Sequence, residues 1–208
     1  MARPYIVVFD LGKVLLDFDY AIAAGRIAAQ GKLLAKDVLG VIGQTALLFR
    51  YETGLLTKAQ FFAEVCEATG FSGGLEEFSQ CFGDIFFPIE PMIELHAELQ
   101  RSGIPTYIFS NTNELATEHI RKRFPFFNTF NGYILSYQHG AMKPDARLYE
   151  VVEKESGRRQ GEIFSALEHG IPSAGAGLRR TIPPAPSCRG SSGTSARQPG
   201  ATRPRARG

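Results

Sequence analysis

Long apolar runs are missing from this sequence of 208 residues, and with them any candidate membrane span, which needs ~18 consecutive apolar residues. The N-terminus reads Met-Ala-Arg-Pro-Tyr and then a short apolar run that Asp10 ends, too short for a signal peptide's apolar stretch and cleavage site. Cysteine is scarce. Cys66, Cys81 and Cys188 have no close-paired spacing, which excludes a zinc site or disulfide framework and leaves a reduced, cytoplasmic setting as the default. Acid is missing from one end: Asp145 is the last aspartate and Glu168 the last acidic residue of any kind. Seven arginines beyond it give residues 169–208 a charge of +7 against −5 for the rest, hidden behind a formal net charge of +2. No aromatic side chains are interleaved among those arginines, which argues against a nucleic-acid surface built on base stacking. The same stretch holds six of the twelve prolines among Gly, Ser and Ala. Such a composition cannot bury enough surface to offset its ordering entropy, so 169–208 reads as a disordered basic tail.

What is present suits a soluble globular protein. With 44% hydrophobic residues, a chain of this length can bury one good core and a small accessory domain, but not two large domains. Tyr5-Ile6-Val7-Val8-Phe9 is apolar without alternation, as expected of a strand buried on both faces of a parallel sheet. A second such run, Thr106-Tyr107-Ile108-Phe109, follows a helix predicted over 92–101 and the turn Ser102-Gly103. A third, Gly132-Tyr133-Ile134-Leu135-Ser136, precedes a helix predicted over 146–155. This order of strands and helices indicates an α/β fold, a Rossmann-like parallel sheet with helices on both faces. Between Tyr20 and Phe87 there are several helical segments and no convincing strand. Thr57 reads as the N-cap of a helix with Phe61, Phe62 and Val65 on its apolar face, and Leu75, Phe78 and Phe82 mark another. The expected organisation is therefore an α/β core over 1–19 and 88–168, a small all-helical cap over 20–87, and the tail.

Three short strings carry the chemistry. Phe9-Asp10-Leu11-Gly12 puts a carboxylate at the carboxyl end of a buried strand, where α/β sheets bind ligands, beside a glycine that lets the chain turn sharply. Ser110-Asn111-Thr112-Asn113 puts a hydroxyl and amides at the end of another strand, and Met142-Lys143-Pro144-Asp145 puts a lysine in a loop before a helix. Each alone has a bland reading: a helix cap, a turn former, a solvated charge. Their order and their strand contexts together are far more specific than any one of them.

With Asp10, Ser110 and Lys143 matching its first three motifs, the chain resembles the haloacid dehalogenase (HAD) superfamily. The strings Phe-Asp-Leu-Gly-x-Val-Leu, Ser-Asn-Thr-Asn and Met-Lys-Pro-Asp are similar to the branch containing glucose-1-phosphate phosphatases and related small-cap hydrolases. Tyr51-Glu52-Thr53-Gly54 is similar to that branch's cap, and the resemblance covers about residues 4–164. It implies a phosphatase of small phosphomonoesters, sugar phosphates among them, in which Asp10 attacks phosphorus to form an aspartyl-phosphate. Ser110 and Asn111 would hold phosphoryl oxygens with Lys143, which also neutralises charge. Mg²⁺ would sit between Asp10 and the phosphate, with the Gly12 carbonyl as a further ligand. The implied partner is a small phosphorylated metabolite, with no nucleic acid and no membrane.

Two departures stand out. Most members carry a second Asp where this chain has Gly12, although the resembling branch commonly has glycine there too. Without that acid, leaving-group protonation falls to water or another group, at ~10²–10⁴ in rate. The fourth motif, an acidic strand end that completes the metal site, is not matched after Glu162-Ile163-Phe164; Glu168 lies near its expected place as a substitute ligand. A shifted reading frame would explain the change in composition there, and coding DNA holding no alternative frame with an acidic motif after Phe164 would refute it. Two alternatives remain open at this level: a 2-haloacid dehalogenase, and a non-catalytic remnant that binds phosphate.

Overall fold

The computed structural model describes residues 5–166. The first strand, β1 (Ile6–Phe9), is buried at all four positions. A tight turn leads to β2 (Leu16–Phe18), and five helices follow: α1 (Tyr20–Ala28), α2 (Ala35–Ile42), α3 (Ala46–Glu52), α4 (Lys58–Thr69) and α5 (Leu75–Gly83). The chain returns through β3 (Phe86–Pro88) and α6 (Glu90–Arg101) to β4 (Thr106–Ser110). Then come α7 (Glu114–Arg123), β5 (Gly132–Leu135), the single turn α8 (Ser136–His139), α9 (Ala146–Ser156) and β6 (Ile163–Ala166).

Four strands form one parallel sheet in the order β5-β4-β1-β6. The alternation of side chains along β1 divides the core in two. Val7 and Phe9 pack with Ala116 and Ile120 of α7 and with Leu95 and Leu99 of α6, while Ile6 and Val8 pack with Leu148 and Val152 of α9. Helices thus cover both faces, which is why the strands carry apolar residues without alternation. The arrangement is the expected α/β, Rossmann-like one.

The five helices between β2 and β3 bury a separate cluster that includes Ile27, Ile42, Tyr51, Phe61, Val65, Phe78 and Phe82. Thr57 caps α4 as expected, in a reciprocal capping box with Gln60, and Gly70 ends it in the left-handed conformation.

Some elements differ from the sequence reading. Phe86–Pro88 is a strand, paired antiparallel with β2 (Asp17↔Phe87), in a stretch where no strand was expected. Three residues are too few to show a period, and the pairing comes from the chain leaving and re-entering the sheet at one place. The helix α7 was not anticipated either. It buries only Leu115, Ala116, Thr117 and Ile120 and ends in Arg121-Lys122-Arg123, so its apolar stripe is narrow; its clear start signal is the N-cap Asn113, which accepts from the Ala116 N–H at 2.9 Å. Among the described residues no helix is long and apolar enough to cross a membrane. Glu168 and the tail 169–208 lie outside the described residues.

Candidate active site

The carboxyl ends of β1 and β4 lie side by side at the centre of the sheet (Phe9↔Ile108), which brings Asp10 and Ser110 to the same edge. Asp10 is 8% exposed. Its Oδ1 accepts the Leu11 N–H at 2.8 Å, and its Oδ2 accepts from Lys143 Nζ at 2.6 Å. The turn that carries it is tied down locally, since the N–H groups of Leu15 and Leu16 both donate to the Leu11 carbonyl. Lys13 stands in the left-handed region (φ 60°), an unfavourable place for a side chain, and is held there by its N–H to the Leu16 carbonyl at 2.8 Å and by its ammonium to Asp17 and the Phe18 carbonyl.

Gly12 is there for lack of room. A Cβ at this position would lie 2.8 Å from the Phe18 ring. Gly12→Ala is therefore expected to destabilise the protein by about 1–3 kcal/mol, measured by urea unfolding, and a second change, Phe18→Leu, should recover part of the loss.

Lys143 reaches Asp10 from the loop before α9. Its Nζ also donates to the Phe109 carbonyl at 3.1 Å, and its side chain is 14% exposed. The loop is held by Asn111, whose Oδ1 accepts the Lys143 N–H at 2.7 Å and whose Nδ2 donates to the Lys143 carbonyl at 3.2 Å. Asn111, expected at the phosphate, lines the cavity, and its side-chain amide also positions the lysine. Ser110 is buried, its hydroxyl donating to the Asn111 carbonyl at 3.3 Å. Asp10, Ser110, Asn111 and Lys143 are thus brought together, with Gly12 beside them.

A cavity of about 330 Å³ opens above these five residues. Its other wall comes from the β2 side and the helical block: Phe18, Tyr20, Gln44, Leu48, Phe49 and Glu52. Burial pushes the Glu52 carboxyl up to about 7 and pushes the Tyr20 hydroxyl upward as well, with the Glu52 charge adding to the latter. Burial first, and then the charge of Asp10, raises Tyr149 behind the site.

The helical wall is pinned to the sheet by residues that the motifs did not single out. Ser136 Oγ, fully buried, lies 2.6 Å from the Glu52 carbonyl and 3.0 Å from that of Thr112, which share its proton, and it accepts the Thr112 N–H at 2.9 Å. The Leu115 N–H donates to the Tyr51 hydroxyl at 3.1 Å. Tyr51 and Ser136 both belong to strings picked out in the sequence, but nothing in a Ser or Tyr at those places announces these contacts.

Among the described residues no group of three His, Cys, Asp or Glu side chains converges as a metal site. Asp10 and Gly12 both line the cavity, and the oxygens they could offer a metal are a carboxylate and a backbone carbonyl. Two hard oxygens suit Mg²⁺, which keeps several waters and takes few protein ligands.

A family model described as haloacid dehalogenase-like hydrolase matches residues 6–164. No curated protein matches the chain. Among solved structures, a HAD family enzyme from Bacteroides thetaiotaomicron superposes with a TM-score of 0.69 at 21% identity, covering 79% of this chain and 84% of that one. The same enzyme in complex with magnesium and inorganic phosphate gives 0.68 at 21% identity, covering 78% and 84%. L-2-haloacid dehalogenase from Xanthobacter autotrophicus, with chloropropionic acid covalently bound, gives 0.55 at 19% identity, covering 78% and 69%. These similarities concern the fold.

Proposed function

The chain belongs to the haloacid dehalogenase-like hydrolases, and we propose that it is a magnesium-dependent phosphatase of small phosphomonoesters, sugar phosphates among them. The observation that carries this reading is Lys143 Nζ at 2.6 Å from Asp10 Oδ2 on the floor of a cavity of about 330 Å³, a size suited to a small metabolite.

In this mechanism Asp10 attacks phosphorus and forms an aspartyl-phosphate, which water then hydrolyses, so one hard displacement becomes two easier ones. Lys143 aims Asp10 through the 2.6 Å contact with its Oδ2, and places its charge against the phosphoryl oxygens as they gain charge. The Ser110 hydroxyl turns from its 3.3 Å contact with the Asn111 carbonyl to donate to one of those oxygens. Asn111 holds the lysine loop through both ends of its amide. Asp10 and the Gly12 carbonyl would hold Mg²⁺, which when bound would supply further charge neutralisation at the phosphate. The magnesium and phosphate complex of the Bacteroides enzyme supports this choice of ligand class for the fold.

The test is release of inorganic phosphate from a panel of phosphomonoesters, abolished by chelator and restored by Mg²⁺. Chloride release from 2-chloropropionate with no phosphate release from any ester would instead make it a haloacid dehalogenase. Phosphate binding without turnover on either class would leave the non-catalytic reading. Lys143→Ala is expected to lower kcat/KM by about 10²–10³, and Lys143→Arg should not restore it, because a planar fork does not replace a point charge in this slot.

A further inference from the structure

We propose that Glu52 is the general acid of this site, protonating the oxygen that leaves when Asp10 takes the phosphoryl group; this rests on the phosphatase reading above. The turn after Asp10 offers no acid, since it runs Leu11-Gly12-Lys13, and it has no room for one at Gly12, where the Phe18 ring occupies the space of a Cβ at 2.8 Å. Asp10 and Glu52 are the two carboxyl residues lining the cavity, and Asp10 is engaged with Lys143. Among the described residues, the carboxyl group left to serve the leaving group is the one on the opposite wall, Glu52.

Glu52 is also held in place against α7 and α8. Its own carbonyl accepts from Ser136, and the preceding residue, Tyr51, is fixed by the Leu115 N–H. Gly54 backs onto the Tyr137 carbonyl so closely that a Cβ would come within 2.1 Å of it. Residue 52 is thereby carried on backbone anchored to α7 and α8 on both sides of it, and an acid needs that fixity to meet a leaving group. The wall around it is largely apolar, with Phe18, Leu48 and Phe49 beside Tyr20 and Gln44. Burial there raises its carboxyl to about 7, so that near neutrality a proton is available to donate.

The other titratable groups of the cavity are Asp10, Lys143 and Tyr20. On the elements packed against α3, Glu64 is paired with Arg50 and Lys58 with Glu118, while Lys36, Asp37 and His139 are exposed to solvent.

The step balances. As the Asp10 oxygen bonds to phosphorus, the ester P–O bond breaks and its electron pair takes the Glu52 proton, releasing an alcohol. Glu52, now a carboxylate, takes a proton from the water whose oxygen displaces Asp10 from phosphorus. Ester and water become alcohol and inorganic phosphate, and both carboxyl groups return to their starting forms.

The experiment compares kcat/KM, which reports the first displacement, for glycerol phosphate and p-nitrophenyl phosphate in the full chain with Mg²⁺. An alkoxide needs a proton to leave, and a nitrophenolate does not. Glu52→Gln is expected to lower kcat/KM for glycerol phosphate by about 10²–10⁴, at least about ten-fold more than for the aryl ester. In the wild type, kcat/KM for glycerol phosphate should fall as pH rises through about 7, and Glu52→Gln should lack that limb. Equal losses on the two esters, no loss, or a wild-type profile flat through neutral pH would overturn the assignment. The wild-type profile needs no variant to fold. If the wild type releases phosphate from neither ester, the phosphatase reading fails and this assignment fails with it; turnover in the wild type without a differential loss removes Glu52 alone.

Discussion

Asp10→Asn is expected to lower phosphate release by about four orders of magnitude or more, the scale seen when a covalent nucleophile is removed. The substitution is nearly isosteric. The amide oxygen can keep one of the two contacts, from the Leu11 N–H at 2.8 Å or the Lys143 ammonium at 2.6 Å, while Nδ2 faces the other donor, so the side chain keeps its size as the attacking group loses its charge and one hydrogen bond. The loss should fall on kcat as much as on kcat/KM, because the missing interaction exists in the transition state and not in substrate binding. Acid-stable trapping of labelled phosphate on the protein, present in the wild type and absent from the variant, would locate the intermediate. Turnover that survives in a variant melting like the wild type would remove Asp10 from the mechanism.

Phe61→Ala is expected to destabilise the protein by about 3–5 kcal/mol, a large part of the ~5–15 kcal/mol that holds a typical domain together. Phe61 is fully buried at the centre of the helical block. Its ring stacks on Tyr51 at 4.3 Å and meets Phe82 at 5.3 Å and Phe78 at 6.0 Å, so truncation leaves a hole lined by aromatic faces that cannot collapse into it. Tyr51 is also the residue that accepts the Leu115 N–H, so loosening it should disturb the cavity wall as well as the block. Urea unfolding gives the size of the effect, and a value under about 1 kcal/mol would mean the aromatic cluster is not the block's core.

Much of this was legible from residue order. β1, β4 and β5 show in the sequence because strands covered on both faces are apolar throughout, and the sharp change to Asp10 or Ser110 marks where they end. Thr57 showed α4 because capping chemistry is local. What was hidden is what depends on distant partners. β3 exists because β2 lies beside it, and α7 shows too little apolar surface to betray itself. The same distinction holds in the site. Asp10, Ser110 and Lys143 could be named from their strand and loop positions, but Asn111's grip on Lys143 spans 32 residues and Ser136's on Glu52 spans 84. Glu52 belonged to a quoted string, yet only its burial and the cavity it faces give it a task. Gly12 has a reason no reading of the turn could supply, the ring of Phe18.

The contacts that residues 51–54 make with Leu115, Ser136 and Tyr137 bear on how such a protein could be recombined. The helical block enters and leaves through one strand pair, which makes it look exchangeable as a cassette. A cassette cut at β2 and β3 would carry Tyr51, Glu52 and Gly54 away from the groups that receive them. A foreign block grafted at those ends should fold and yet leave its inner wall unanchored, unless the recipient positions at 115, 136 and 137 travel with it. The transferable unit is then larger than the loop between the two strands, and a chimera designed on connectivity alone would be expected to keep its fold and lose its selectivity.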